Sequence, residues 1–184
     1  MPPSSPYQAL LLVDGYNIIG DWSDLKQSRD RHGLDAARHE LIESLINYTS
    51  SVAYRTKIVF DAHYQNTPRS SEEYTSLLSV HYTAFAESAD TYIEKFCAAF
   101  RHQKYQQECS RLIVATSDRA QQLTVVGYGA EWRSAQMLAG EVDMAARSTK
   151  IKKQTPKKPA GRFLFNALDP TAQQRLKQWQ RGIR

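Results

Sequence analysis

The chain has no apolar run approaching the ~20 residues that a membrane-spanning helix needs, and no basic stretch leads into its first apolar segment. It is therefore expected to carry neither an anchor nor a secretory leader, and to have no membrane partner. Cysteine is scarce: Cys97 and Cys109 are the only two. That is too few for a disulfide framework or a four-ligand zinc site and fits a reducing, cytoplasmic setting. Both read as small apolar residues on or near a helix. A glycine-rich phosphate loop is missing as well, since Gly127-Tyr128-Gly129 lacks the third glycine and the preceding strand of a dinucleotide fingerprint.

What is present is an ordinary folding composition, 41% hydrophobic over 184 residues. That is enough for one domain of roughly 150 residues with its own core, plus a tail. The charge is divided unevenly. Residues 147–184 hold eleven Lys/Arg against the single acid Asp169, a net of +10, which leaves residues 1–146 at −5. The reading is a folded domain over 1–148 and a basic tail over 149–184. Such a tail attracts polyanions by counterion release; a merely solvated tail is the alternative. Lys150, Lys152, Lys153, Lys157, Lys158 and Arg162 would supply the attraction for RNA that the acidic domain lacks.

Strands and helices alternate along the domain. Residues 9–13 are a continuous apolar run, as in a strand buried on both faces, and 57–60, 78–83 and 112–115 read as further strands. Helical spacing of Ala37, Leu41, Leu45 and Tyr48 marks 34–48. Further helices are expected over 89–103 with Ser88 as N-cap, over 119–128, and over 131–147, where a short preceding strand stays open. Residues 65–73, polar and containing Pro68, read as a loop. Residues 150–158 read as a flexible linker, and 168–181 as a terminal helix capped by Asp169. The alternation implies an α/β fold around a mostly parallel sheet. In such sheets function collects beyond the carboxyl ends of the strands.

Three strands run into an aspartate there: Val13-Asp14, Phe60-Asp61 and Ala115-Thr116-Ser117-Asp118. Asp90 and Glu94, four residues apart, share a helix face that opens onto the same edge. A lone strand-end aspartate is usually a cap or turn residue. Several in register repel one another unless protons or cations intervene, which points to a hard dication and phosphodiester hydrolysis. Asn17, reached through a turn at Gly15, either orients Asp14, contacts substrate or stabilises the turn. Thr116 and Ser117 either bond a metal water or phosphate, or cap the next helix. His63 reads as a surface histidine before an acid. Tyr16, Trp22 and Trp132 can stack unpaired bases, although core packing is the plainer reading of each.

Taken in order, Asp14-Gly15-Tyr16-Asn17, Val59-Phe60-Asp61-Ala62, Ala89-Asp90-Thr91-Tyr92-Ile93-Glu94, Thr116-Ser117-Asp118 and Gly129-Ala130 with Ser134-Ala135 resemble the YacP-like branch of NYN domains. These belong to the PIN-like nuclease superfamily, and the likeness covers roughly residues 9–146. The resemblance implies a PIN-like three-layer α/β/α sandwich and a Mg²⁺- or Mn²⁺-dependent endoribonuclease. Asp14, Asp61, Asp90 and Asp118 would be its acidic site, with Asp14, Asp90 and Asp118 on the metal and Asn17, Glu94 and Ser117 supporting. It further implies messenger RNA as substrate and the ribosome as a possible partner, with a monomer as the default state. Arg133 would touch RNA. Two departures, Arg119-Ala120-Gln121-Gln122 where an acid usually precedes the glutamine and Trp132-Arg133 where an arginine falls slightly earlier, concern RNA contact rather than metal.

Other chemistries fit less well. A dehalogenase-type phosphatase wants an aspartate at position 16, where this chain has Tyr16. A phosphoacceptor receiver would lack the Asp90/Glu94 pair and would want a lysine after a late strand. The rival is a non-catalytic RNA- or ribosome-binding protein on a PIN-like fold. Against it, a pure binder gains nothing by concentrating carboxylates against phosphates.

Overall fold

The computed structural model describes residues 7–62, 70–101 and 109–154. Two units divide at Ser148/Thr149, and the architecture below is that of the first. Six strands, β1 (Ala9–Asp14), β2 (Tyr54–Phe60), β3 (Ser70–Glu73), β4 (Leu78–Tyr82), β5 (Leu112–Ala115) and β6 (Glu131–Arg133), form one sheet in the order β3-β4-β2-β1-β5-β6. Every pairing is parallel except β3 with β4. Six helices accompany it among the described residues: α1 (Gly15–Asp21), α2 (Ser23–His32), α3 (Leu34–Val52), α4 (Ala89–Arg101), α5 (Arg119–Gly127) and α6 (Ala135–Gln154). None is long and apolar enough to cross a membrane.

The strand period of two sorts the core into two layers. Ala9, Leu11 and Val13 pack with Ile18, Leu41, Leu45 and Leu138 on one face. Leu10 and Leu12 pack with Ile93, Phe96, Cys97 and Val125 on the other. Helices α1, α3 and α6 thus cover one side and α4 and α5 the other, which makes the expected α/β/α sandwich. All six residues of β1 are buried, as a central parallel strand covered on both faces requires. Cys97 and Cys109 are both free thiols buried in the second layer.

Several local expectations are corrected. The stretch 65–73 is not all loop, because Ser70–Glu73 is an edge strand hung on β4 by backbone pairing. Its side chains are all exposed, so no apolar alternation announces it. Helix α2 is almost wholly polar and buries only Leu25 and Ser28. Its ends carry charges that suit the helix dipole, Asp24 first and Arg29, Arg31 and His32 last. Ser28 is tied to Glu40 of α3 at 2.7 Å. The expected helix over 131–147 starts later, at Ala135, after the short strand β6, with Ser134 accepting the Met137 N–H at 3.1 Å. It also continues to Gln154, so residues 150–154 are helical where a linker was expected. No breaker stands before Pro156. His63, the rest of the linker (155–158) and the helix expected over 168–181 lie outside the described residues.

Candidate active site

The chain leaves β1 towards β2 on one side and later returns to place β5 on the other. A crevice opens beyond the carboxyl ends of neighbouring strands whose connections diverge in this way. Residues at those ends line a cleft of about 330 Å³: Asp14, Tyr16, Asn17, Asp61, Ser88, Ala89, Asp90 and Asp118. All four aspartates expected at the sheet edge face this one cleft. Glu94 does not line it, but its charge reaches Asp90. A larger groove, about 630 Å³ near Trp22 and Glu40, is elsewhere and holds none of these acids.

Each aspartate is placed by a local device. Asp14 closes β1 and caps α1, its Oδ1 accepting the Asn17 N–H at 3.3 Å. Gly15 follows with ordinary helical backbone and is needed for space rather than for a special turn. A Cβ there would stand 2.2 Å from Cε1 of Phe60. Asp61 follows β2, whose exit is held where Thr83 accepts the Ala62 N–H at 3.1 Å and donates its own N–H to Phe60 O at 3.0 Å. Asp90 sits in the first turn of α4, which Ser88 caps by accepting the Thr91 N–H at 3.1 Å. Asp118 caps α5, and one oxygen, Oδ1, takes both the Ala120 and Gln121 N–H groups at 2.7 and 3.2 Å. Capping and site membership are therefore compatible at Asp14 and Asp118, since each cap consumes a single carboxylate oxygen.

Asn17 does not turn its amide oxygen to Asp14. It accepts the Ser117 N–H at 2.8 Å and, in a very short contact, the Ser117 hydroxyl. The exits of β1 and β5 are thereby fastened to each other. Thr116 supports the same corner, its Oγ1 accepting the Asp118 N–H at 3.1 Å and its carbonyl the Trp132 indole N–H at 3.0 Å.

The electrostatics are those of crowded carboxyls. Asp14, only 5% exposed, has its pKa pushed up to about 7. Burial is the main cause; the Asn17 N–H opposes it, while the charges of Asp90 and Asp118 add to it. Asp90 is exposed overall, yet its pKa is also raised, first by desolvation of its protein-facing side and then by Asp118 and Glu94. Asp14 and Asp90 are hydrogen-bonded to each other, which favours the protonated form of the first and the ionised form of the second.

Among the described residues no three acidic, His or Cys side chains converge on one metal-sized point. The donor set still suits a hard dication of the Mg²⁺ type. It is all oxygen, and such ions commonly take one or two carboxylates and fill the rest of their shell with water and phosphate.

The remaining expected contacts are placed as follows. Arg133 is ion-paired with Glu141, which also accepts the Tyr48 hydroxyl at 2.5 Å. Its side chain is engaged in a separate pocket beside α6. Lys150, Lys152 and Lys153 fall on the last turns of α6, and Lys157, Lys158 and Arg162 lie outside the described residues. Trp22 and Trp132 both pack against the cores, with Trp22 donating its indole N–H to Ala135 O at 2.8 Å. Tyr16, half-buried against Phe60 at 5.0 Å, alone of the three aromatics lines the cleft. Gln121 belongs to the stretch that departs from the family pattern and reads from sequence as bearing on RNA contact; its Nε2 instead donates to Asp90 Oδ1 at 2.6 Å.

Comparison with known proteins bears on this arrangement. Residues 11–181 match the family described as YacP-like NYN domain, a match that continues past residue 146 through most of the basic segment. The protein YacP of Bacillus subtilis (strain 168), described as uncharacterized, is 34% identical over 175 residues, which is 94% of this chain and 97% of its own length. A crystal structure of a mutant of Rae1 (YacP) from Bacillus subtilis is similar at a TM-score of 0.65 and 31% identity, covering 91% of this chain and 98% of that one. A second Rae1 (YacP) structure gives 0.64 and 32%, covering 94% and 95%.

Proposed function

This chain belongs to the YacP-like NYN domain family, which is of nuclease type with an RNA-related role, and from that premise we propose that it is a divalent-metal-dependent endoribonuclease. Its substrate is single-stranded RNA, with messenger RNA the class in view and the ribosome a further partner in the cytoplasm. The observation that carries the reading is the shared cleft. Four aspartates from four separate parts of the chain line one opening at the switch point of the sheet, and the deepest of them is pushed to about 7 by its surroundings.

Asp14, Asp90 and Asp118 are the residues that would hold Mg²⁺ or Mn²⁺. A dication bound among them supplies Lewis-acid charge for a scissile phosphate and eases deprotonation of the attacking water. The chain's own groups do the rest. Asp14 can hold or release a proton near neutral pH, because its affinity for that proton is set by burial and by Asp90. Asp61, half-buried at the end of β2, is assigned to orienting the water. Asn17 and Ser117 keep the β1 and β5 corners at a fixed separation. Tyr16 offers an aromatic face beside the acids for an unpaired base. The basic segment from Lys150 onward draws the RNA backbone to a domain of net negative charge.

The test is cleavage of an end-labelled single-stranded RNA pool by the full chain in Mg²⁺ or Mn²⁺. Cleavage should stop on chelation and fall to background in Asp14→Asn and Asp118→Asn. Cleavage that survives chelator or both substitutions removes this reading. RNA binding with no cleavage in any metal favours the docking protein instead.

A further inference from the structure

Asp118-Arg119-Ala120-Gln121 has the spacing of a helix capping box. In that motif the side chain three residues into the helix reaches back to accept the N–H of the capping residue. Only half of the box is closed. Asp118 Oδ1 accepts the Gln121 N–H at 3.2 Å, but the return bond is absent, because the Asp118 N–H goes to Thr116 Oγ1 at 3.1 Å. The Gln121 amide is turned instead across to α4, where Nε2 donates to Asp90 Oδ1 at 2.6 Å. The diversion leaves Gln121 Oε1 buried with no hydrogen-bond partner, in a side chain only 3% exposed.

A buried amide with one end unsatisfied is a poor choice for stability, since the orphaned carbonyl loses its hydration without compensation. An apolar side chain of the same length would fill the space between α4 and α5 without that loss. The arrangement makes sense if the contact with Asp90 is what the residue is for. Asp90 stands on the first turn of a helix, more open to solvent than Asp14. An exposed carboxylate on a single-bonded side chain samples several rotamers unless a partner fixes it.

We propose that Gln121 is a positioning residue of the acidic site, its Nε2–H holding the Asp90 carboxylate in one orientation against the N-terminus of α5. The side chain also couples the two acids, since its own backbone N–H is bound by Asp118. The two bonds thereby restrain the separation of Asp90 on α4 from Asp118 at the start of α5. The inference rests on the nuclease reading for its consequence in catalysis, but its effect on cation binding can be read without any turnover.

The experiment compares the full-length wild type with Gln121→Met, which keeps length and removes the amide. Gln121→Asn, which keeps an amide one methylene too short to reach Asp90, guards against a folding failure of the first variant. Mn²⁺ affinity, measured by calorimetry on the protein alone, should weaken about tenfold in both, in line with the loss of an outer partner to a metal-ligating carboxylate. RNA cleavage should lose about tenfold in kcat with KM unchanged within twofold, and the melting temperature of Gln121→Met should be no lower than wild type. Unchanged Mn²⁺ affinity and kcat in a folded variant overturns the proposal, as does a loss of activity that only tracks a fall in melting temperature. Failure of the wild type to bind Mn²⁺ or to cleave RNA strikes the nuclease reading instead, a result the variants cannot mimic.

Discussion

Asn17 and Ser117, a hundred residues apart in the chain, are joined where the amide oxygen of the first accepts the backbone N–H of the second at 2.8 Å. The bond ties the end of β1 to the end of β5, the two corners that carry Asp14 and Asp118. Asn17→Ala should therefore affect the site more than the fold. The tie is partly solvent-exposed, so unfolding free energy should drop by only about 1 kcal/mol. Relaxing two catalytic corners by a fraction of an ångström should cost cleavage about tenfold or more. Urea melts and initial cleavage rates on the same preparation decide this; a proportionate loss in both would make the bond merely structural.

Asp14 makes the metal-free protein sensitive to pH in a definite direction. Its pKa is near 3.9 in the unfolded chain and about 7 in the folded one. Between those values the native state holds a proton that the unfolded state has released. Stability is thus fully present below about pH 4, is lost as pH rises towards 7 and levels off beyond, by on the order of 2–4 kcal/mol. Asp14→Asn should flatten that fall and, with chelator at pH 8, be more stable than wild type while cleaving nothing. Adding Mg²⁺ at pH 8 should stabilise the wild type but not the variant. Denaturant midpoints at pH 5 and pH 8 check the sign, and a wild type that gains stability over that interval contradicts it.

Gly15→Ala isolates a steric requirement. Alanine is the better helix former by about 1 kcal/mol, yet its Cβ would stand 2.2 Å from a ring atom of the fully buried Phe60. That ring is itself packed between Tyr16 and Tyr82, at 5.0 and 5.7 Å, and has little room to retreat. A net loss of about 1–3 kcal/mol is expected. Combining it with Phe60→Leu should recover part of the loss, a non-additivity readable in a double-mutant cycle. Full additivity would locate the strain elsewhere.

Replacing Lys150, Lys152, Lys153, Lys157 and Lys158 by glutamine should weaken RNA binding in low salt and flatten its salt dependence. The slope of log K against log salt should fall by about 0.7 for each phosphate of a single strand that is no longer neutralised. Mn²⁺ affinity should stay unchanged, since the proposed metal-holding groups are the aspartates of the folded domain. An unaltered salt slope would return the segment to a solvated tail.

Most of the parallel sheet and the longer helices could be read from period alone, because β1, β2, β4 and β5 carry buried runs and α3 repeats its apolar residues at helical spacing. What escaped was structure with no apolar signature. The four exposed residues of β3 are held by backbone pairing to β4. Helix α2 buries two side chains and leans on α3 through Ser28 and Glu40. Helix α1 begins inside the Asp-Gly-Tyr-Asn motif, whose turn-like composition masks the start of a seven-residue helix.

The sequence by itself determined which acids were available and on which strand ends they stood, since a parallel sheet sends Asp14, Asp61 and Asp118 to one edge whatever the loops do. Tertiary structure alone decided how closely Asp14, Asp90 and Asp118 crowd one another, because that depends on the packing of α4 and α5 against β1. The same packing left Glu94 off the cleft and turned Gln121 from its own helix cap towards Asp90, while the docking of α6 beside β6 engaged Arg133 with Glu141. Charge and period are written along the chain. The distance between two side chains is set by elements that meet only after folding.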